Sequence, residues 1–141
     1  MRIMKLLSVI LLCALTLGSL SAQELTLDAC RHALKNALRL NHRDSLASAY
    51  CHLGEYYAYR NSDSARYYFE KGLSHVRRSD VPLYCTLLIN TAETYFAKGD
   101  LDEAVRCFRF AYREVERLQA AVEYQVTALS SLGVIYRRQA M

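Results

Sequence analysis

The sequence predicts an all-α fold in which antiparallel helical hairpins follow one another in series. Three observations carry that prediction. Helix breakers are scarce: 141 residues hold one Pro and five Gly, which leaves few punctuation points. One pattern occurs three times, as Tyr50, Leu53, Gly54, Tyr57, then Leu88, Thr91, Ala92, Tyr95, then Leu129, Leu132, Gly133, Tyr136. A second pattern follows the first two copies: Ala65, Phe69 and Gly72 recur as Ala104, Phe108 and Ala111. Its spacing of four and three places all three residues on one helical face.

Residues 1–22 come first in the chain. Arg2 and Lys5 precede an apolar run from Leu6 to Leu17, and Gly18, Ser19 and Ser21 lead to Ala22. This is the layout of a secretory signal peptide, with cleavage expected between Ala22 and Gln23. A run of about 12 apolar residues is too short for a stable span, which needs about 20. Cys13 lies inside the run and not at its end, so no lipoprotein signal is read. The expected product is therefore an exported, periplasmic domain over 23–141 with no membrane span after cleavage.

Within that domain, residues 24–43 predict a half-repeat helix with the stripe Leu27, Cys30, Leu34, Ala37 and Leu38. Residues 45–79 form the first hairpin, with helix A, a turn at Arg60 to Ser64, and helix B. Residues 80–119 form the second. Asp80 caps its helix A ahead of Pro82, and Lys98, Gly99 and Asp100 make its turn. Residues 121–138 supply a third helix A. Gly54, Ala92 and Gly133 are expected to let each helix A approach its own helix B, while Phe69 and Phe108 fill the space between successive hairpins. A single hairpin cannot bury its apolar face alone, so neighbours must stack.

Helix A with Leu53, Gly54 and Tyr57, then Gly99 to Ala104, then Phe108 and Ala111, resembles the tetratricopeptide repeat (TPR) family. The resemblance covers about residues 45–138 and implies a short right-handed superhelix, an α-solenoid. The repeat spacing is longer than usual: Tyr57, Tyr95 and Tyr136 are 38 and 41 residues apart. In this family helix A lines a concave groove that binds peptides. The resemblance thus implies partner-binding residues His52, Glu55, Tyr59, Asn90, Glu93, Phe96, Ser130 and Arg137. The clamp that some members use for chaperone tails needs Lys and Asn where Cys51, Glu55, Ile89 and Glu93 stand, so such tails are not expected to bind. Two groove carboxylates favour a neutral or basic peptide.

Other chemistry finds little footing. His32, His42 and His52 are ten residues apart, unlike a helical metal-ligand pair, which is three or four apart. Cys30, Cys51, Cys85 and Cys107 show no framework spacing, and their pairing is open. No phosphate loop, nucleophile elbow or other convergent reactive set is present, so neither enzyme activity nor a cofactor is expected. Of the 18 basic residues, Arg2 and Lys5 lie in the leader, which leaves 16 against 14 acidic, too even a balance for a nucleic-acid face.

The expected function is a non-catalytic protein-interaction scaffold in the bacterial envelope. The alternative is the sensory front of a longer regulator or sensor kinase. A third helix A with no helix B leaves a bare face, so the sequence is expected to be part of a longer chain, or else to self-associate through its C-terminal helix.

Overall fold

The computed structural model describes residues 26–141, so the leader reading of residues 1–22 lies outside the described residues. Those residues form six helices: α1 (Leu27–Leu40), α2 (Arg43–Tyr57), α3 (Ser62–His75), α4 (Val81–Lys98), α5 (Leu101–Arg117) and α6 (Val122–Gln139). No strand occurs among them. Each helix packs on its neighbour in the chain, and α4 also touches α6, whereas α2 and α4 barely meet.

Local chemistry sets the boundaries. Thr26 caps α1 by accepting the Ala29 N–H at 3.2 Å. The helix ends at Asn41, whose φ of 46° is left-handed, a conformation that Asn tolerates better than most residues. His42 then opens α2, with its Nδ1 accepting from the Ser45 N–H at 3.3 Å. Asn61 caps α3 through the Ser64 N–H at 2.8 Å. Asp80 caps α4 through the Leu83 N–H at 3.3 Å, with Pro82 in the first turn. Gly99 closes α4 at φ 85°, where a side chain would be strained. The N–H groups of Gly99 and Asp100 there satisfy the Phe96 and Tyr95 carbonyls.

Packing follows the two patterns. On α5, Ala104, Phe108, Ala111 and Val115 are fully buried, while Arg106, Arg109, Arg113 and Arg117 face outward, a strongly one-sided helix. Ala65, Phe69 and Gly72 make the matching face of α3. Gly54 lies directly against Phe69: a Cβ at Gly54 would overlap the ring. Phe69 thus packs inside its own hairpin as well as beside the next, because only a hydrogen separates it from α2. A Cβ at Gly72 would meet Leu87 of α4 at 2.8 Å. α4 is enclosed by α3, α5 and α6 and buries Tyr84, Cys85, Leu87, Leu88, Ile89 and Ala92. Tyr57 is half-buried and stacks on Tyr68, with ring centroids 5.5 Å apart.

α1 is the exception. Among the described residues only α2 covers it to any extent, and Ala37, Leu46 and Ala49 form a small core apart from the main one. Leu38, expected in the buried stripe, is 55% exposed. Cys30 and Ala37 face α2, and Leu38 is turned about 100° from Ala37, towards a side that no element covers among the described residues.

Polar links tie the elements together at the surface. Arg77 pairs with Asp44 at 3.2 Å, and the Arg43 Nε donates to the His75 carbonyl at 2.6 Å, so the start of α2 is held to the end of α3. Lys98 and Arg66 both meet Asp63, at 2.6 and 2.7 Å. The Lys98 hydrogen bond is the main reason the Asp63 carboxyl sits below its ordinary range. Between α4 and α5, the Tyr84 hydroxyl donates to Glu114 at 3.0 Å, and Arg117 binds that carboxylate with two hydrogen bonds.

Candidate functional site

Where α2 and α4 diverge they leave a cleft of about 330 Å³. Its walls are Glu55, Ala58 and Tyr59 on one side and Asn90, Glu93, Thr94 and Ala97 on the other, with Phe69 at the floor. Small side chains help keep it open: Ala58, just past the end of α2, and Ala97 of α4 both line it. Phe69 reaches the floor because Gly54 lets it slide beneath α2.

Four of the eight groove residues expected from sequence meet here: Glu55, Tyr59, Asn90 and Glu93. Tyr59 is 99% exposed at the rim, just past the end of α2. The other four lie elsewhere. His52 lines a second cleft, of about 440 Å³, between α1 and α2. Phe96 is half-buried with the Arg138 guanidinium 4.8 Å above its ring, so its face is already occupied. Ser130 and Arg137 are exposed on α6, but the residues that reach α4 are their neighbours. The Ser131 hydroxyl donates to Glu93 at 3.5 Å, and Arg138 covers Phe96. The α6 residues that touch α4 are thus turned about 100° from Ser130 and Arg137, which stay open to solvent.

Neither Glu55 nor Glu93 has a cation within salt-bridge distance among the described residues. Glu55 accepts a weak hydrogen bond from the Cys51 thiol at 3.7 Å. Burial, reinforced by this carboxylate, pushes Cys51 up to about 12. Burial likewise raises Cys30, Cys85 and Cys107. All four thiols are free and are held away from the reactive thiolate form. The Thr94 hydroxyl is spent on the Thr91 carbonyl at 2.7 Å. The cleft therefore offers two carboxylates, one amide and an aromatic floor. That set can accept hydrogen bonds from peptide N–H groups or from a cationic side chain, and the Asn90 amide can also donate.

Among the described residues, no three His, Cys, Asp or Glu side chains gather as a metal site, and no helix is long and apolar enough to cross a membrane. Compared with protein-family models, curated proteins and solved structures, the chain matches none.

Proposed function

We propose that this chain is a tetratricopeptide-like solenoid of the bacterial envelope that binds a peptide segment of a partner protein in the cleft between α2 and α4, without catalysis. The observation that carries the reading is the pair of carboxylates, Glu55 and Glu93, facing one cleft over an aromatic floor without ion-pair partners. Such a site favours an extended peptide with a Lys or Arg side chain between the two carboxylates. The repeated small-residue pattern supports the solenoid, and the sequence of residues 1–22 supports export.

The test is fluorescence anisotropy with labelled peptides that differ only in basic, neutral or acidic character. Basic peptides are expected to bind best, with affinity falling as salt rises. The double substitution Glu55→Gln, Glu93→Gln should remove the preference for basic peptides. Ala97→Phe should fill the cleft and abolish binding while the helical circular dichroism is unchanged. Equal binding of acidic and basic peptides, or full binding by the Ala97→Phe chain, overturns the proposal.

A further inference from the structure

α6 carries an apolar stripe that nothing covers among the described residues. Val122, Val126, Leu129 and Gly133 lie at helical spacing and all are exposed, Val122 by 62% and Val126 by 56%; Tyr136 continues the stripe, but Arg109 of α5 donates to its hydroxyl at 3.0 Å and lies over its ring. On the two equivalent helices the same face is filled. Gly54 of α2 lies against Phe69 of α3, and Ala92 of α4 is fully buried. A Cβ at Gly133 would meet nothing within 4 Å.

The complementary element sits at the other end of the described residues. α1 carries Cys30, Leu34 and Ala37 at the spacing of Ala65, Phe69 and Gly72 on α3 and of Ala104, Phe108 and Ala111 on α5. It is thus a helix of the α3 and α5 kind that, among the described residues, has no preceding partner of the α2 and α4 kind. Beside it runs the second cleft, whose lining includes Ala33, Leu40, Ser48 and His52. Ala33 and Ser48, with Ala37, Ser45 and Ala49 also lining it, are small and let a helix come close.

We propose that copies of this chain join head to tail, with α6 of one copy seated in the cleft between α1 and α2 of the next. The contacts already made inside the chain fix the register. Glu55, Glu93 and Val134 are equivalent positions in the repeated pattern, as are Ala58, Phe96 and Arg137, and Tyr59, Ala97 and Arg138. Between α2 and α4 this register sets Ala58 opposite Ala97, both lining the first cleft. Between α4 and α6 it sets Phe96 beneath Arg138 and Glu93 beside Ser131. Continued to the next copy, it sets Arg137 against Tyr59 and Val134 against His52, with Gly133 beneath Leu34. The first pair is a cation on an aromatic ring, both partners fully available: Tyr59 is almost wholly exposed, and Arg137 has no ion pair among the described residues. The two surfaces differ, so the interface is heterologous and propagates beyond a dimer unless it closes as a ring. This inference rests on the repeat reading and not on the first cleft as a peptide site, with which it shares only Tyr59. Loss of peptide binding on Glu55→Gln would leave association untouched.

Sedimentation velocity of the purified full chain tests it. Wild type should grow in mass with concentration past the dimer. Leu129→Glu blocks one end and Ala33→Arg the other. Both residues are exposed, so helical circular dichroism should be unchanged, and each variant alone should be monomeric. A mixture of the two should stop at a dimer, because one good end remains on each. Arg137→Ala and Tyr59→Ala should each weaken association about fivefold, as expected of a cation–π contact, and the double variant no further. A wild type that stays monomeric overturns the proposal. So does self-association of either blocked variant, a mixture that fails to pair, or additive losses at Arg137 and Tyr59.

Discussion

Gly54 and Gly133 hold the same place in the repeated pattern, yet their surroundings differ. Gly54→Ala forces a methyl group into the Phe69 ring, and overpacking of this kind costs about 1–3 kcal/mol. Gly133→Ala meets open space and should stabilise α6 by up to about 1 kcal/mol, the helix-propensity gain. Urea denaturation of both variants checks the pair: opposite shifts in midpoint are expected, measured at low protein concentration. The small-residue pattern itself is legible in the sequence. The difference between its copies is not, because it depends on which helix lies opposite. Cys51 shows a second limit of the same kind. Its titration near 12 against an ordinary 9.0 arises from burial that no spacing rule reveals. The unfolded thiol ionises first as pH rises, so the folded chain holds the extra proton between those two values. Stability should therefore be level with respect to this group below pH 9.0 and fall above it. Urea midpoints at about pH 8 and about pH 10.5 should show the decline, and Cys51→Ala should flatten part of it. The buried Tyr84 hydroxyl, raised chiefly by burial, adds a decline of the same sign that the Cys51 variant retains.

Helix boundaries were readable wherever a boundary depends on its own residues. Asp80 with Pro82, and Gly99 with its positive φ, stand where the sequence places them. The α2 start at Arg43, two residues before the expected one, depends on His42 accepting a backbone N–H through its ring nitrogen, a role more often filled by Ser, Thr, Asp or Asn. α6 begins with no side-chain cap at all, so its register is set by packing on α4 and α5, with Ser131 and Arg138 turned to α4 and Ser130 and Arg137 left exposed. The caps differ measurably. Asn61→Ala removes a 2.8 Å cap bond and should cost about 1 kcal/mol. Asp100 makes no side-chain cap bond, so Asp100→Ala should lose only its dipole contribution, about 0.5 kcal/mol. Thermal unfolding of the two variants side by side tests the ranking. An equal loss in both would show that backbone contacts, and not the Asn61 side chain, hold the α3 start.

At the scale of the whole molecule, the helical class and its order were legible because breakers, caps and small-residue faces are local signals. The candidate cleft was only half legible. Its residues on α2 and α4 repeat in the sequence, but its existence depends on how far Ala58 stands from Ala97, a distance that no single helix determines. The same layout has a temporal consequence. α4 shares its buried surface with three helices, so separating it requires most of the main core to open. Among the described residues α1 leans on α2 alone and keeps its own few buried residues. Stability in such a chain is graded along its length. Native-state hydrogen exchange should find the amides of Leu34 to Leu38 exchanging through openings that leave Leu87 to Ala92 protected, with the first group's opening free energy clearly below the global value. Equal values would mean that the chain opens all at once. The molecule would otherwise spend a measurable part of its time with the first helix detached and the other five in place.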